Sequence, residues 1–395
     1  MAGRNTHWPA AAGTVAGLAG VAGAVFFGVL PGLTDRRLNR VVGPALPPVS
    51  PQAQTLHDTL LVADLHADTL MWERDLLTRS AHGHVDLPRL REGNVALQVF
   101  SSVTKTPTRP GYHDNVEDDA DGITLLTLAQ LRPPRTWVSL LQRSLHQARA
   151  LQDAADRSRG TLVTVRSKGD LDALVAARTA GQDVTGALFA AEGLHNLEGE
   201  FDNLAVLHAA GLRMAGFAHF HDTEVAGSMH GVRRGGLTDL GRRVFDAMQA
   251  TGIAVDLAHA SHDAVADMLE RATKPLIFSH GGVQGTCEVN RNLTDDEVRG
   301  VAATGGVVGI GYWAEAIGER TPAAVVDAIE YVIDIGGVAT AALGSDFDGA
   351  TTLGWDTSKL AVLTDELLRR GHSETDIAAI MGGNTFRVLR ETLPD

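Results

Sequence analysis

Residues 61–68 read Leu61-Val62-Ala63-Asp64-Leu65-His66-Ala67-Asp68, an apolar run from Leu61 to Leu65 that leads straight into an H-x-D pair. The same grammar, a short run of apolar residues followed by a histidine or a carboxylate, recurs to the end of the chain. Further runs suited to buried strands lie at Val95 to Ser101, Gly186 to Ala191, Arg213 to Ala218, Ile253 to Leu257, Pro275 to Ser279, Gly306 to Gly311 and Ala341 to Ser345. Continuous runs of this kind suit strands covered on both faces. Helical stretches lie between or after them at Leu237 to Thr251, Ala264 to Ala272, Asp295 to Ala303, Pro322 to Ile335 and Ser358 to Arg370, with caps expected at Thr294 and at Thr321-Pro322. Eight strands alternating with helices in about 340 residues predict an α/β fold, a closed (β/α)8 TIM-type barrel, over an open doubly wound sheet. Thr161 to Val165 is a ninth run, expected outside the barrel, and Thr104 to Arg159 should supply loop and extra helix over the barrel mouth.

Composition narrows the function. With 395 residues, 44% of them hydrophobic, the chain can bury a full core. Its formal charge of -14 and the lack of a basic stripe argue against nucleic acid as a partner. Cys287 is the single cysteine, so an intramolecular disulfide and a Cys-rich zinc module are excluded and any metal must use His and carboxylate. Sixteen histidines are a generous supply for that purpose.

The N-terminus carries a separate signal. Residues 1–9 form a short tail, and residues 10–30, from Ala10 to Leu30, carry no charge and at helical rise would cross a hydrocarbon core of about 30 Å. A single transmembrane helix is expected there, its small residues at four-residue spacing allowing self-association as a homodimer. A cleaved signal ending at Ala22-Gly23-Ala24 is the rival. Arg4 before the segment and Arg36, Arg37 and Arg40 after it favour a cytoplasmic C-terminal side, although long domains translocate regardless and a periplasmic or extracellular domain stays open. Residues 31–53, basic and then Pro-rich, read as a stiff spacer holding a barrel domain, residues 54–395, off the surface.

The residues after each run carry the chemistry. The first run ends in Asp64 to Asp68, and later runs are followed by Glu192, His219, His259, His280 and Asp346. In a parallel barrel the C-terminal strand ends share one face, so these residues can gather there. A period of two puts His66 and Asp68 on one side of an extended segment, where both can bind one ion. Glu192 could bridge to a second ion, and His259 and His280 could complete it. Two zinc ions fit a thiolate-free set, with manganese and iron left open. Any one of these residues taken alone is more often structural; their joint placement at strand ends is what indicates a site. His221, His230 and His262 fall off the strand ends and read as loop residues, and Asp295, Asp296 and Glu297 as a helix N-terminal turn.

Competing motifs are missing. The sequence contains no P-loop, no G-x-S-x-G elbow and no HExxH, and Gly305 to Gly311 reads as a buried strand and not a dinucleotide loop.

DLHAD (Asp64 to Asp68), AAEG (Ala190 to Gly193), GLRMAGFAH (Gly211 to His219), DLAHAS (Asp256 to Ser261), FSHGG (Phe278 to Gly282), NRNLTDDEV (Asn290 to Val298) and GSDFDG (Gly344 to Gly349) together resemble the membrane (renal) dipeptidases, the M19 metallopeptidases of the amidohydrolase-type barrels. The resemblance spans nearly the whole globular part in family order. It implies a binuclear zinc site with His66 and Asp68 on one ion, Glu192 bridging, and His259 and His280 on the other. It implies that His219 contacts the scissile group, that Arg291 binds the substrate's C-terminal carboxylate, that Asp346 handles the proton, and that Tyr312 lies on the substrate side. Substrates would be dipeptides, a D-residue tolerated at the C-terminal position, hydrolysed by metal-activated hydroxide. Better-known animal members carry a C-terminal lipid-anchor signal and inter-chain cysteines, whereas this chain ends in RETLPD and has Cys287 alone. The loop from Thr104 to Arg135 matches no family motif. Two other functions stand beside this one: a binuclear amidohydrolase acting on a non-peptide amide or lactam, and an inactive membrane-tethered binding protein that keeps the barrel.

Overall fold

The computed structural model describes residues 26–395. Eight parallel strands form the barrel wall: β1 (Val62–Ala67), β2 (Val95–Val103), β3 (Thr185–Glu192), β4 (Leu212–Gly216), β5 (Ala254–Asp256), β6 (Ile277–Phe278), β7 (Val307–Ile310) and β8 (Ala341–Leu343). They pair in sequence order from β1 to β8. Every residue of these strands is buried, as expected of strands with helices outside and packed side chains inside. Ala67 bridges to Phe347, and Asp68 N donates to Phe347 O at 2.9 Å, which draws the two edge strands together into a nearly closed barrel.

All eight expected runs became strands, with boundaries moved by one or two residues. The ninth, Leu162–Thr164, pairs on the far side of β3 and stays off the barrel path. Helices occupy Asp239–Thr251, His262–Arg271, Asp295–Ala303, Pro322–Gly336 and Ala361–Arg369. Thr294 caps the third of these with a full capping box whose other half is Glu297, and Thr321 caps the fourth. The long β2–β3 connection contains helices Gly122–Ala129 and Leu140–Arg157, and the second packs against the barrel through Ser144 Oγ, 2.9 Å from Ser102 Oγ.

The N-terminal region differs from its sequence reading. Residues 10–25 of the expected membrane helix lie outside the described residues, and among those described no helix is long and apolar enough to cross a membrane. Residues 31–53 do not hold the barrel away. Leu30–Leu38 is a helix with Asp35 buried beneath it, Arg40–Val41 pairs in parallel with Thr352–Leu353, and Leu46 and Val49 pack against the core. A helix at Pro51–His57, capped by Ser50, also crosses the domain boundary expected at Gln54. Polar partners buried far along the chain, and not the proline content, decide the course of this segment.

Candidate metal centre

Glu192 is the last residue of β3, and its carboxylate occupies the middle of the strand-end face. Its Oε1 lies 3.0 Å from His259 Nε2, 3.2 Å from His280 Nε2 and 3.6 Å from His66 Nε2, while Oε2 lies 3.5 Å from His219 Nε2. His66 Nε2 is 3.3 Å from Asp68 Oδ1, so the H-x-D pair does turn both side chains to one side. Three sets of potential ligands, each with its atoms within 4.8 Å of one another, overlap at these residues: His66, Asp68 and Glu192; Glu192, His259 and His280; and His66, His280 and Asp346.

All these side chains are buried. Burial pushes the Glu192 and Asp68 carboxyls well above their ordinary range, Asp68 adding to the effect at Glu192 and Asp348 adding to it at Asp68. Burial also raises Asp346 to about 8, against the pull of the facing His66. It holds the imidazoles of His219, His259 and His280 well below their usual value. Both ring nitrogens of His66 and Oδ1 of Asp68 are buried and, although close to one another, lack an aligned hydrogen bond among the described residues. Neutral imidazoles crowded on mutually repelling carboxylates, with lone pairs unused, form a donor set that divalent cations satisfy. The residues present therefore fit a metal centre, and its thiolate-free chemistry suits zinc, manganese or iron.

A lower layer orients these ligands. Asp256, the last residue of β5, accepts from Ser279 N at 2.9 Å and from Ser279 Oγ at 2.6 Å. Ser279 Oγ is also 2.8 Å from His280 Nδ1. With its proton committed to Asp256, the hydroxyl accepts from Nδ1–H, which leaves the His280 Nε2 lone pair on the side of the cluster. Asp64 in β1 makes a matching set: it accepts from Ser345 N at 3.1 Å, Ser345 Oγ at 2.9 Å and His66 N at 3.1 Å. His259 (φ 65°) and Asp346 (φ 60°) adopt left-handed backbone, a conformation uncommon outside glycine and held here at two of the site residues. Gly349 is required beside Asp346, because a Cβ there would meet Asp346 Oδ1 at 1.9 Å.

Arg291 is buried, its guanidinium 5.3 Å above the Phe278 ring and 5.9 Å from that of Trp313. Nη2 donates to His280 O at 2.5 Å, and Nη1 has no partner among the described residues. It makes no pair in the NRNLTDDE turn, where Arg299 engages Asp295 and Asp296. Tyr312 is packed against Phe347 and Trp355, its hydroxyl buried without a partner among the described residues. Its neighbour Trp313 lies beside the site, 6.0 Å from His280 between ring centres.

Sequence reasoning missed three contributors. His230, read as a loop residue, is buried with its ring centre 5.2 Å from that of His259. Tyr112, from the loop that matched no motif, accepts from Trp313 Nε1 at 2.9 Å through its hydroxyl and from Asn290 Nδ2 at 2.6 Å through its carbonyl. The Asp–Ser pairs were the third, although D-L at the end of two runs and S before both His280 and Asp346 were a readable signal.

Residues 50–393 match the family model of membrane dipeptidases, peptidase family M19. Dipeptidase aclJ of Aspergillus oryzae is 28% identical over 364 residues, covering 86% of this chain and 80% of its own. Dipeptidase verJ of Clonostachys rogersoniana is 29% identical over 313 residues, covering 78% of this chain and 75% of its own. Among solved structures, the metallo peptidase from Rhodobacter sphaeroides, liganded with a phosphinate mimic of the dipeptide L-Ala-D-Ala, superposes with a TM-score of 0.71 at 23% identity, over 84% of this chain and 99% of that one. The M19 dipeptidase AC gives a TM-score of 0.71 at 21% identity, over 85% of this chain and 100% of that one. Both structures share the fold.

Proposed function

Because the chain belongs to the membrane dipeptidase family, peptidase family M19, we propose that it hydrolyses free dipeptides at a pair of zinc ions, with a D-residue accepted at the C-terminal position. It is a metallopeptidase acting on peptide bonds. The observation that carries the finer reading is the convergence of His259, His280 and His66 on one oxygen of Glu192. His66 and Asp68 would hold one ion, His259 and His280 the other, and Glu192 would bridge them. Ions held there would supply Lewis acidity, lowering the pKa of water and polarising a carbonyl oxygen.

The chain's own residues do the rest. Asp346 accepts the proton of the attacking water and passes it to the leaving amine. His219, on the Oε2 side of Glu192, donates to the carbonyl oxygen as negative charge develops there. Arg291 binds the terminal carboxylate with its fork, and its buried Nη1, without a partner among the described residues, supports that role. The ligand named for the Rhodobacter sphaeroides relative supports a D-residue on the carboxylate side. The uncharged segment of residues 10–30 supports attachment of the chain to a membrane through its N-terminus.

The test is to load the full-length chain with zinc, count bound metal, and assay L,L and L,D dipeptides beside their C-terminal amides. About two ions per chain are expected, with activity lost on chelation. Arg291→Met should abolish the preference for free carboxylate over amide. One ion or none would reject the bridging role of Glu192. Equal rates on dipeptides and amides in the unaltered chain would move the substrate class to neutral amides or lactams.

A further inference from the structure

The turn that follows β8 is strained. Within five residues, Asp346 (φ 60°), Asp348 (φ 62°) and Ala350 (φ 59°) all adopt the left-handed region without being glycine. Such a turn persists only where its surroundings fix it. The loop after β1 holds Asp348, with Thr69 Oγ1 donating to its Oδ2 at 2.8 Å, His84 N to its Oδ1 at 2.7 Å and Trp72 Nε1 to its carbonyl at 2.7 Å, and the segment ahead of the barrel reaches the same turn from the other side of the chain. Asp35, 3% exposed, accepts from Arg74 Nε at 2.9 Å, and Arg74 Nη2 lies 2.8 Å from Asp348 Oδ1. Gly83, at φ +82°, leaves room for that guanidinium, since a Cβ would meet Arg74 Nη1 at 2.2 Å. Asn39 donates from Nδ2 to Asp35 Oδ1 at 2.8 Å, and its Oδ1 accepts from Ala350 N at 2.9 Å. Arg40–Val41 then pairs with Thr352–Leu353, and Val42 N donates to Leu353 O at 2.7 Å.

We infer that residues 35–42 are a positioning clamp: through Arg74–Asp348, Asn39–Ala350 and the pairing with Thr352–Leu353, they hold the strained turn that sets the place of the Asp346 carboxylate. None of these residues is a catalytic residue; they act through the backbone of the turn. The inference rests on the reading of Asp346 as proton acceptor. It also assigns a function to a stretch that the amino-acid pattern presented as a spacer. Buried polar contacts of this number are not needed merely to tether a domain. They reach two of the three strained positions, Ala350 directly through Asn39 and Asp348 through the Arg74 that Asp35 holds.

The experiment uses the full-length chain with Asp35→Asn, with Asn39→Ala, and with Leu33→Ser on the exposed face of the same helix as control. Amide hydrogen exchange, metal content, kcat and KM are measured on each. In both clamp variants, exchange across residues 346–353 should become about tenfold faster while the barrel strands keep their protection. The kcat should fall about tenfold or more, with KM and metal content within about twofold of the unaltered chain, and the control should match it throughout. If Asp35→Asn does not fold, Asn39→Ala, which removes the acceptor for Ala350 N and one donor to Asp35 and touches neither partner of the Arg74 pairs, carries the test. Exchange in residues 346–353 equal to the unaltered chain would overturn the clamp. Faster exchange with unchanged kcat would reduce the segment to an anchor and overturn the positioning role. Absence of dipeptide turnover in the unaltered chain would sink the proposed function, and the exchange measurement would still decide whether the clamp exists.

Discussion

On the β5–β6 side of the site, Asp256 gathers the amide and hydroxyl of Ser279; on the β1–β8 side, Asp64 gathers the amide and hydroxyl of Ser345. The two pairs are nearly superimposable as chemistry, and they are used differently. Ser279 goes on to touch the side chain of a candidate ligand, His280 Nδ1, so that ring is oriented from within the barrel. Ser345 Oγ touches only Asp64 and backbone, the carbonyl of His66 at 3.1 Å and the amide of Phe347 at 3.1 Å, and leaves the Asp346 carboxylate to be placed by the turn after it. The comparison teaches that a ligand needs its ring direction fixed, which one hydrogen bond does. A proton acceptor needs its position fixed, which takes the backbone on both sides of it.

The sharpest way to break this contrast is Asp346→Asn. The amide keeps the shape of the turn but cannot accept a proton, so zinc content should stay unchanged while kcat falls by about 10² to 10⁴. Wild-type turnover in that variant would move proton transfer to another group. The serines sharpen the contrast. Ser279→Ala should weaken metal binding by about 10- to 100-fold, because His280 loses the acceptor that fixes its tautomer. Ser345→Ala should leave metal affinity nearly unchanged and lower kcat instead; competition with a chelator, run on both variants, separates the two outcomes. The smallest effect lies outside the face, on the helix that follows β5. His262 Nδ1 is 2.6 Å from Glu297 Oε1, and that bond raises the His262 pKa above 6.5 against the cost of burial. Its stabilisation is present below the unfolded value of 6.5 and is lost as pH rises through the higher folded value. Since the side chain is 42% exposed, His262→Ala should cost only about 0 to 1 kcal/mol at low pH and nothing at high pH, read from urea unfolding at both. A cost that grows with pH would remove the pair from the account.

The barrel was legible because its strands are buried on both sides, and such strands show as unbroken apolar runs with chemistry at their ends. The gathering of candidate ligands was legible for the same reason: Glu192 and His280 follow those runs directly, and His259 one residue further on. What escaped was set by contacts across large sequence separations. Asn39 and Ala350 lie 311 positions apart, and nothing local in the sequence ahead of the barrel indicates that its asparagine meets a turn near the C-terminus. Tyr112 and His230 were hidden likewise, since each reaches the site from a loop whose course depends on the other: His230 Nδ1 lies 3.2 Å from the Tyr112 carbonyl. Tyr312 and Trp313 show the limit of reading adjacent aromatics, because only packing decides that the second lies beside His280.

The seam between β1 and β8 also governs when the site can exist during synthesis. Asp64 and Ser345 are 281 positions apart, and closing a loop of that length costs on the order of 5 kcal/mol in chain entropy before any contact is gained. His66 and Asp68 leave the ribosome first, His259 and His280 about 190 to 210 residues later, and Asp346 after them. A nascent chain therefore exposes its first pair of candidate ligands long before the others arrive. Because β1 and β8 meet only after β8 has been made, any selection among metals at the proposed centre would fall to the closed barrel, where all the candidate ligands act on the choice together.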